Sequence, residues 1–255
     1  MAAGVVGARL TVAEAAAAEV AAPAASAQTL AQQIDGLWAR RDDPRAMAEQ
    51  KRLLDKALAE SPGEYVWLWR AARWYFWKSD DPNLDDAQKM KLGKLGWDLG
   101  ERAVAANPKD VAGYFWAAAT MGNYALGLGI FKALTQRIES KFRDRLNKAE
   151  ALDPKYADGS IPVMWARYWA TLPWPKYDEK KALANYEKAL RLNPAHLRAK
   201  VFLAELWLRE DEPAKAQRYL QEVLEATPGA YDLPEEKRAK VLGMRAMVAV
   251  KAALR

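Results

Sequence analysis

The residues able to do covalent or acid–base chemistry are few. Among 255 residues there is no cysteine. That excludes a thiolate nucleophile, a thiolate metal site, a disulfide and lipid attachment through an N-terminal cysteine. The one histidine, His196, stands two residues past Pro194. No Ser-His-Asp-like neighbourhood surrounds it, and it fits a helix start better than a general base. "GLGIFK" at 127–132 lacks the length and the Ser or Thr of a phosphate loop, and no ligands stand at metal-site spacing. No enzymatic activity and no cofactor are expected. What remains is aromatic and cationic. There are eleven tryptophans, and "WLWRAARWYFWK" at 67–78 places Trp69, Arg73, Phe76 and Trp77 at i, i+4, i+7 and i+8, one face of a helix. Aromatic faces beside guanidinium groups suit an extended peptide, above all one carrying carboxylates. The same pattern also suits a helix buried on every side.

Charge points the same way. The net charge is +6, but its signs alternate, as in "RIESKFRDRLNKAE" and "PEEKRAKVLGMR". Mixed signs make solvated helix faces, whereas a nucleic-acid site concentrates one sign, so no nucleic-acid partner is expected. No run of about 18 apolar residues exists to span a membrane. Residues 1–28 are Ala-rich and end in "ASAQ", like a cleavage site, yet Glu14 and Glu19 interrupt the apolar stretch. They form either a tail or a degraded signal.

The elements that must position the aromatic face announce themselves by repetition. "KALAESP", "RAVAANP", "KAEALDP", "KALRLNP" and "EVLEATP" end at Pro62, Pro108, Pro154, Pro194 and Pro228, spaced 46, 46, 40 and 34 residues apart. Proline disfavours helix in the residue before it and lacks an N–H, so each copy marks a helix end. Five residues earlier stand Ala57, Ala103, Ala149, Ala189 and Val223; eight earlier, Leu54, Gly100, Leu146, Tyr186 and Leu220. Small residues there let helices approach closely. One helical hairpin cannot bury both its apolar faces, but stacked hairpins bury each other's, so the stop signal recurs. The final spacing is that of a tetratricopeptide unit. The expected fold is all-α, a tetratricopeptide-like superhelical array of antiparallel helix pairs with irregular insertions. About five units, some ten helices, occupy 29–232, and a C-terminal capping helix occupies 233–255. The spacing predicts a long turn in "KSDDPNLDD", a hairpin broken by Gly122, Gly127 and Gly129, and an extended loop in "TLPWPKY". In that loop Trp174 either plugs the core or stands out as a binding knob.

The irregular stretches carry a closer likeness. A small-residue helix followed by "GNYA", then "ALDP" before "YADGSIP", then "LPWP" before the next repeat, resembles the T-component family of tripartite (TRAP) solute transporters. That family shares its repeat core with eukaryotic regulators of microtubule dynamics. The resemblance implies a bacterial envelope protein working beside a periplasmic solute-binding protein; the location is then periplasmic, with the cytoplasm as the alternative. Its best-known members are lipoproteins, a feature this cysteine-free chain lacks. The tetratricopeptide likeness implies that the first helix of each unit lines a concave groove. Aligned so, Trp69, Arg73, Phe76, Trp77, Phe115, Asn123, Arg167, Glu205 and Arg209 face inward, while Leu68, Ala71, Ala72 and Tyr75 pack. Two functions follow. One is a non-enzymatic scaffold holding a protein or peptide in the groove. The other is an envelope accessory that binds or relays a small solute. Aromatics lining a closed apolar cavity favour the second; an open groove with Arg73 and Arg209 favours the first.

Overall fold

The computed structural model describes residues 29–255; the expectation for 1–28 lies outside the described residues. Among them there is no strand. The first helix, α1, is described over 29–38. It is followed by α2 (Pro44–Glu60), α3 (Tyr65–Ser79), α4 (Asp86–Ala106), α5 (Val111–Leu128), α6 (Ile130–Thr135) and α7 (Ile138–Leu152). A short 3-10 helix, Tyr156–Gly159, leads to α8 (Ser160–Thr171), then α9 (Glu179–Leu192), α10 (Leu197–Arg209), α11 (Pro213–Glu225) and α12 (Leu233–Ala253). Ten of these pair as α1/α2, α3/α4, α5/α7, α8/α9 and α10/α11. The expected ten are joined by α6, which interrupts the third pair, and by α12, which caps the array.

The repeated sequence becomes a repeated helix end. The N–H groups of Ser61, Asn107, Asp153 and Asn193, each just before its proline, donate to the carbonyls of Ala57, Ala103, Ala149 and Ala189. Those four alanines are buried, as is Val223 in the fifth copy. Helix starts are equally regular: Asp43, Asp85, Asp110, Asp178 and Asp232 accept backbone N–H bonds at the N-caps of α2, α4, α5, α9 and α12.

The tightest seam joins α4 to α5. Gly93, Gly96 and Gly100 line it from α4 and are buried. A Cβ on Gly100 would lie 2.6 Å from Ala117 Cα, and one on Gly93 would lie 2.6 Å from the Tyr124 nitrogen. Gly122 and Gly127 do not break the hairpin as expected. Both lie within α5, and Gly127 presses on the start of α4, 2.6 Å from the Asp86 carbonyl oxygen measured from its would-be Cβ. Only Gly129 ends the helix, at φ 89°.

The array also closes on itself. Asp232 at the start of α12 accepts two bonds from Arg41 Nη2, at 2.6 and 2.5 Å. Lys237 Nζ reaches Asp42 at 2.6 Å. Arg238 donates to the Trp77 carbonyl at 2.8 Å, and Arg245 donates to the Pro82 carbonyl and to Asn83 Oδ1, both at 2.7 Å. The last helix thus lies across the mouth of the first two units.

The seam makes a specific forecast. Glycine inside a helix ordinarily costs about 0.5–1 kcal/mol against alanine, and at Gly36, where an added Cβ meets nothing within 4 Å, Gly36→Ala should stabilise by about that amount. At Gly100 the sign should reverse: Gly100→Ala overpacks the seam and should cost about 1–3 kcal/mol. Thermal or urea melts of the two variants side by side check both signs.

Candidate functional site: an aromatic cavity bordered by the last helix

The concave side of the array holds a cavity of about 570 Å³. Its floor is built from α1, α3 and α5. Trp38 meets Trp77 edge-on at 6.2 Å between ring centres and Trp116 at 6.0 Å. Phe76 lies 5.4 Å from Trp116, and Phe115 packs on Trp116 at 4.8 Å and on Tyr156 at 5.1 Å. The Trp116 Nε1–H donates to Tyr156 Oη at 3.2 Å, so the wall's polar atoms are paired with each other. Across the cavity, Phe142 stacks on Tyr168 at 5.7 Å. Helix α5 can serve floor and seam together because both its faces are buried, from Ala112 through Met121.

Six sequence-predicted residues line this cavity: Phe76, Trp77, Phe115, Asn123, Arg167 and Glu205. Three of them already have partners. The Asn123 side-chain amide donates to Ser79 Oγ at 2.9 Å and ties α5 to the end of α3. Arg167 and Glu205 pair with each other at 2.5 Å. Trp69, Arg73 and Arg209, expected to face inward, do not line the cavity. The cause at Trp69 and Arg73 is α1. Asp35 of that helix takes Arg73 at 2.5 Å and Arg70 at 2.6 Å, and the Arg73 guanidinium lies between Trp38 and Trp69, 4.5 and 4.9 Å from their ring centres. Burial, partly offset by Asp35, lowers the Arg73 pKa to about 10, leaving it charged. Arg209 instead lies 3.7 Å over the Tyr177 ring and donates to the Ala170 carbonyl. Trp174 is 87% exposed, which overturns the plug reading.

Sequence reasoning missed Trp38, Trp116, Tyr156 and the whole polar end of the cavity. Trp38 precedes the repeat register, and Trp116 sits next to a predicted residue on a helix buried all round. The polar end is drawn from elements far apart in the chain. Arg198 of α10, 8% exposed, bonds Asp80 at the end of α3 at 2.7 Å and Glu235 of α12 through Nε and Nη2. Burial disfavours its charge, but the two carboxylates outweigh this and hold its pKa above the usual arginine value. Burial also acts to raise Glu235, and Arg198 reverses that, holding the carboxyl below the usual range.

His196 is buried beside this triad. Its Nδ1 accepts the Ala199 N–H at 3.4 Å and so caps α10. The ring proton therefore sits on Nε2, which faces Ser160 Oγ at 3.5 Å. In that tautomer the imidazole donates toward the serine. Among the described residues no group of His, Asp and Glu is arranged to hold a metal ion.

The comparisons agree with this architecture. The model of the family described as regulator of microtubule dynamics protein 1-3 matches residues 30–176, more than half of the chain. The chain belongs to that family. A tetratricopeptide-repeat model matches residues 177–235, so the two matches meet between α8 and α9. No curated protein matches. Among solved structures, a thermophilic tetratricopeptide-repeat protein of Thermus thermophilus is similar, with a TM-score of 0.62 and 19% identity over 87% of this chain and 98% of that one. At that identity the likeness shows the fold. Among the described residues no helix is long and apolar enough to cross a membrane.

A pH forecast follows from His196. Burial lowers its pKa from 6.5 to about 4. In the unfolded chain it takes a proton near 6.5; folded, it stays neutral until about 4. The unfolded state thus binds more protons between those values, and stability should fall as pH falls through that window, by up to about 1.4 kcal/mol per pH unit. His196→Asn keeps a capping side chain without a titrating ring. Urea midpoints at about pH 7, 6 and 5 should slope less for the variant than for the parent.

Proposed function

We propose that this helical-repeat scaffold holds a compact apolar ligand in the half-open cavity that α12 borders. The carrying observation is that aromatic side chains from α1, α3, α5, α7 and α8 face a space of about 570 Å³, while its arginines already have carboxylate partners: Arg41 has Asp232, Arg167 has Glu205, and Arg198 has Asp80 and Glu235. A volume of roughly 300–1,000 Å³ walled by aromatics with few polar groups suits a small molecule. An acidic peptide would need free guanidinium groups, and the two expected to supply them, Arg73 and Arg209, are engaged outside the cavity. Repeat scaffolds of this kind support a protein-interaction role, and the outer surfaces remain for that purpose. The likeness to T-components supports hand-over of such a ligand to a solute-binding protein alongside. No catalytic step is assigned.

The test is a titration with the neutral fluorophore N-phenyl-1-naphthylamine, read by energy transfer from the wall tryptophans. Saturable binding is expected. Met164 lines the cavity and is only partly buried. Met164→Trp fills the space and should weaken binding at least tenfold, about 1.4 kcal/mol, with an unchanged melting temperature. Trp174→Ala, outside the cavity, should leave the titration as it was. Equal binding by the Met164→Trp variant would overturn the assignment.

A further inference from the structure

Two large aromatics are displayed to solvent on segments that form one wall of the cavity. Phe131 of α6 is 74% exposed and Trp174 is 87% exposed. Helix α6 is two-faced: Ile130, Ala133 and Leu134 line the cavity, and Phe131 and Lys132 point away. The Trp174 loop begins at Leu172, which is buried in the same apolar cluster that Leu134 packs against. Lys176 of the loop pairs with Glu139 at the start of α7, tying the loop to the segment just after α6. Both aromatics therefore belong to one edge of the molecule.

Unpaired cations predominate on that edge. Lys132, Arg137 and Arg143 are exposed beside it, while Lys176 is taken by Glu139 and Asp144 by Arg145. The carboxylate of Glu139 is consumed, accepting from Tyr168 Oη at 2.6 Å and from Lys176. Elsewhere the surface alternates in sign, and the neighbouring Asp178 is occupied in capping α9 and pairing with Lys181.

A protruding Trp and Phe amid cations is the composition of a surface that rests in the headgroup layer of an anionic bilayer. Aromatic rings sit at the headgroup level, and cations near the surface are drawn to anionic lipids. The rings stand proud of the surface, one on a six-residue helix and one on a loop. From the exposed pair, the local cations and their position on the cavity wall, we infer that this edge docks the protein on anionic membrane surfaces. The inference stands on the outer surface alone and holds whether or not the cavity takes an apolar ligand.

The experiment is co-sedimentation of the full chain with vesicles of phosphatidylcholine alone and of phosphatidylcholine with phosphatidylserine. Partition onto the anionic vesicles is expected, weakening as salt is raised. The double variant Phe131→Ser, Trp174→Ser should lose at least tenfold in that partition. Because both side chains are exposed, its melting temperature and its binding of N-phenyl-1-naphthylamine in solution should match the parent's. Reversing charge with Lys132→Glu and Arg137→Glu, both exposed and outside the cavity lining, should reduce the anionic partition without touching the dye titration. Absence of sedimentation, equal sedimentation with phosphatidylcholine alone, or an unaffected double variant would each overturn the proposal.

Discussion

One buried cation decides the shape of this molecule's interior. Arg198 stands in the fifth unit, yet its guanidinium bonds the turn of the second unit through Asp80 and the capping helix through Glu235. Withdrawing three charges from water is costly unless every one is paired. Here the pairing can be completed only if units two and five and α12 converge. Charge compensation thus acts as a geometric requirement. It draws a superhelix that could have stayed an open trough into a vessel, and Arg41 with Asp232 makes a second join nearby.

This closure also sets the vessel's chemistry. Arginines on the lining are turned to neighbouring carboxylates, and cationic side chains cover aromatic faces where they leave the cavity. Arg238 sits 3.2 Å over Trp77, and Arg41 lies over Trp38 and Trp77 at 4.3 and 4.6 Å. What faces the empty space is then mainly carbon. The lining's arginines are thus tied into the framework of the fold.

The fold was legible because its signals are local. Proline after an alanine-spaced helix end recurs at Pro62, Pro108, Pro154, Pro194 and Pro228, and each helix end forms from residues within a few positions of one another. The inward face of α3 was legible in part: Phe76 and Trp77 followed from helical spacing. Trp69 and Arg73 did not end there, because α1 precedes the region of clear repeat spacing and Asp35 on it captures Arg73. The polar end was invisible for a different reason. Asp80, Arg198 and Glu235 are single charges in three separate segments, and neither period nor motif relates them. Gly122 and Gly127 misled for a third reason. Glycine breaks helices in water, but a helix pressed against another can need it, and only the partner's position tells which.

The spans of the closing contacts carry a consequence for the order in which the molecule comes into being. In a stacked array each unit meets its neighbours, so units assemble progressively along the chain. The bond from Arg41 to Asp232 spans 191 residues, and that from Trp77 to Arg238 spans 161. The earlier units can stack before Asp232 reaches them. One side of the cavity is therefore completed by residues from Asp232 onward, and until they join, its aromatic floor is the more exposed.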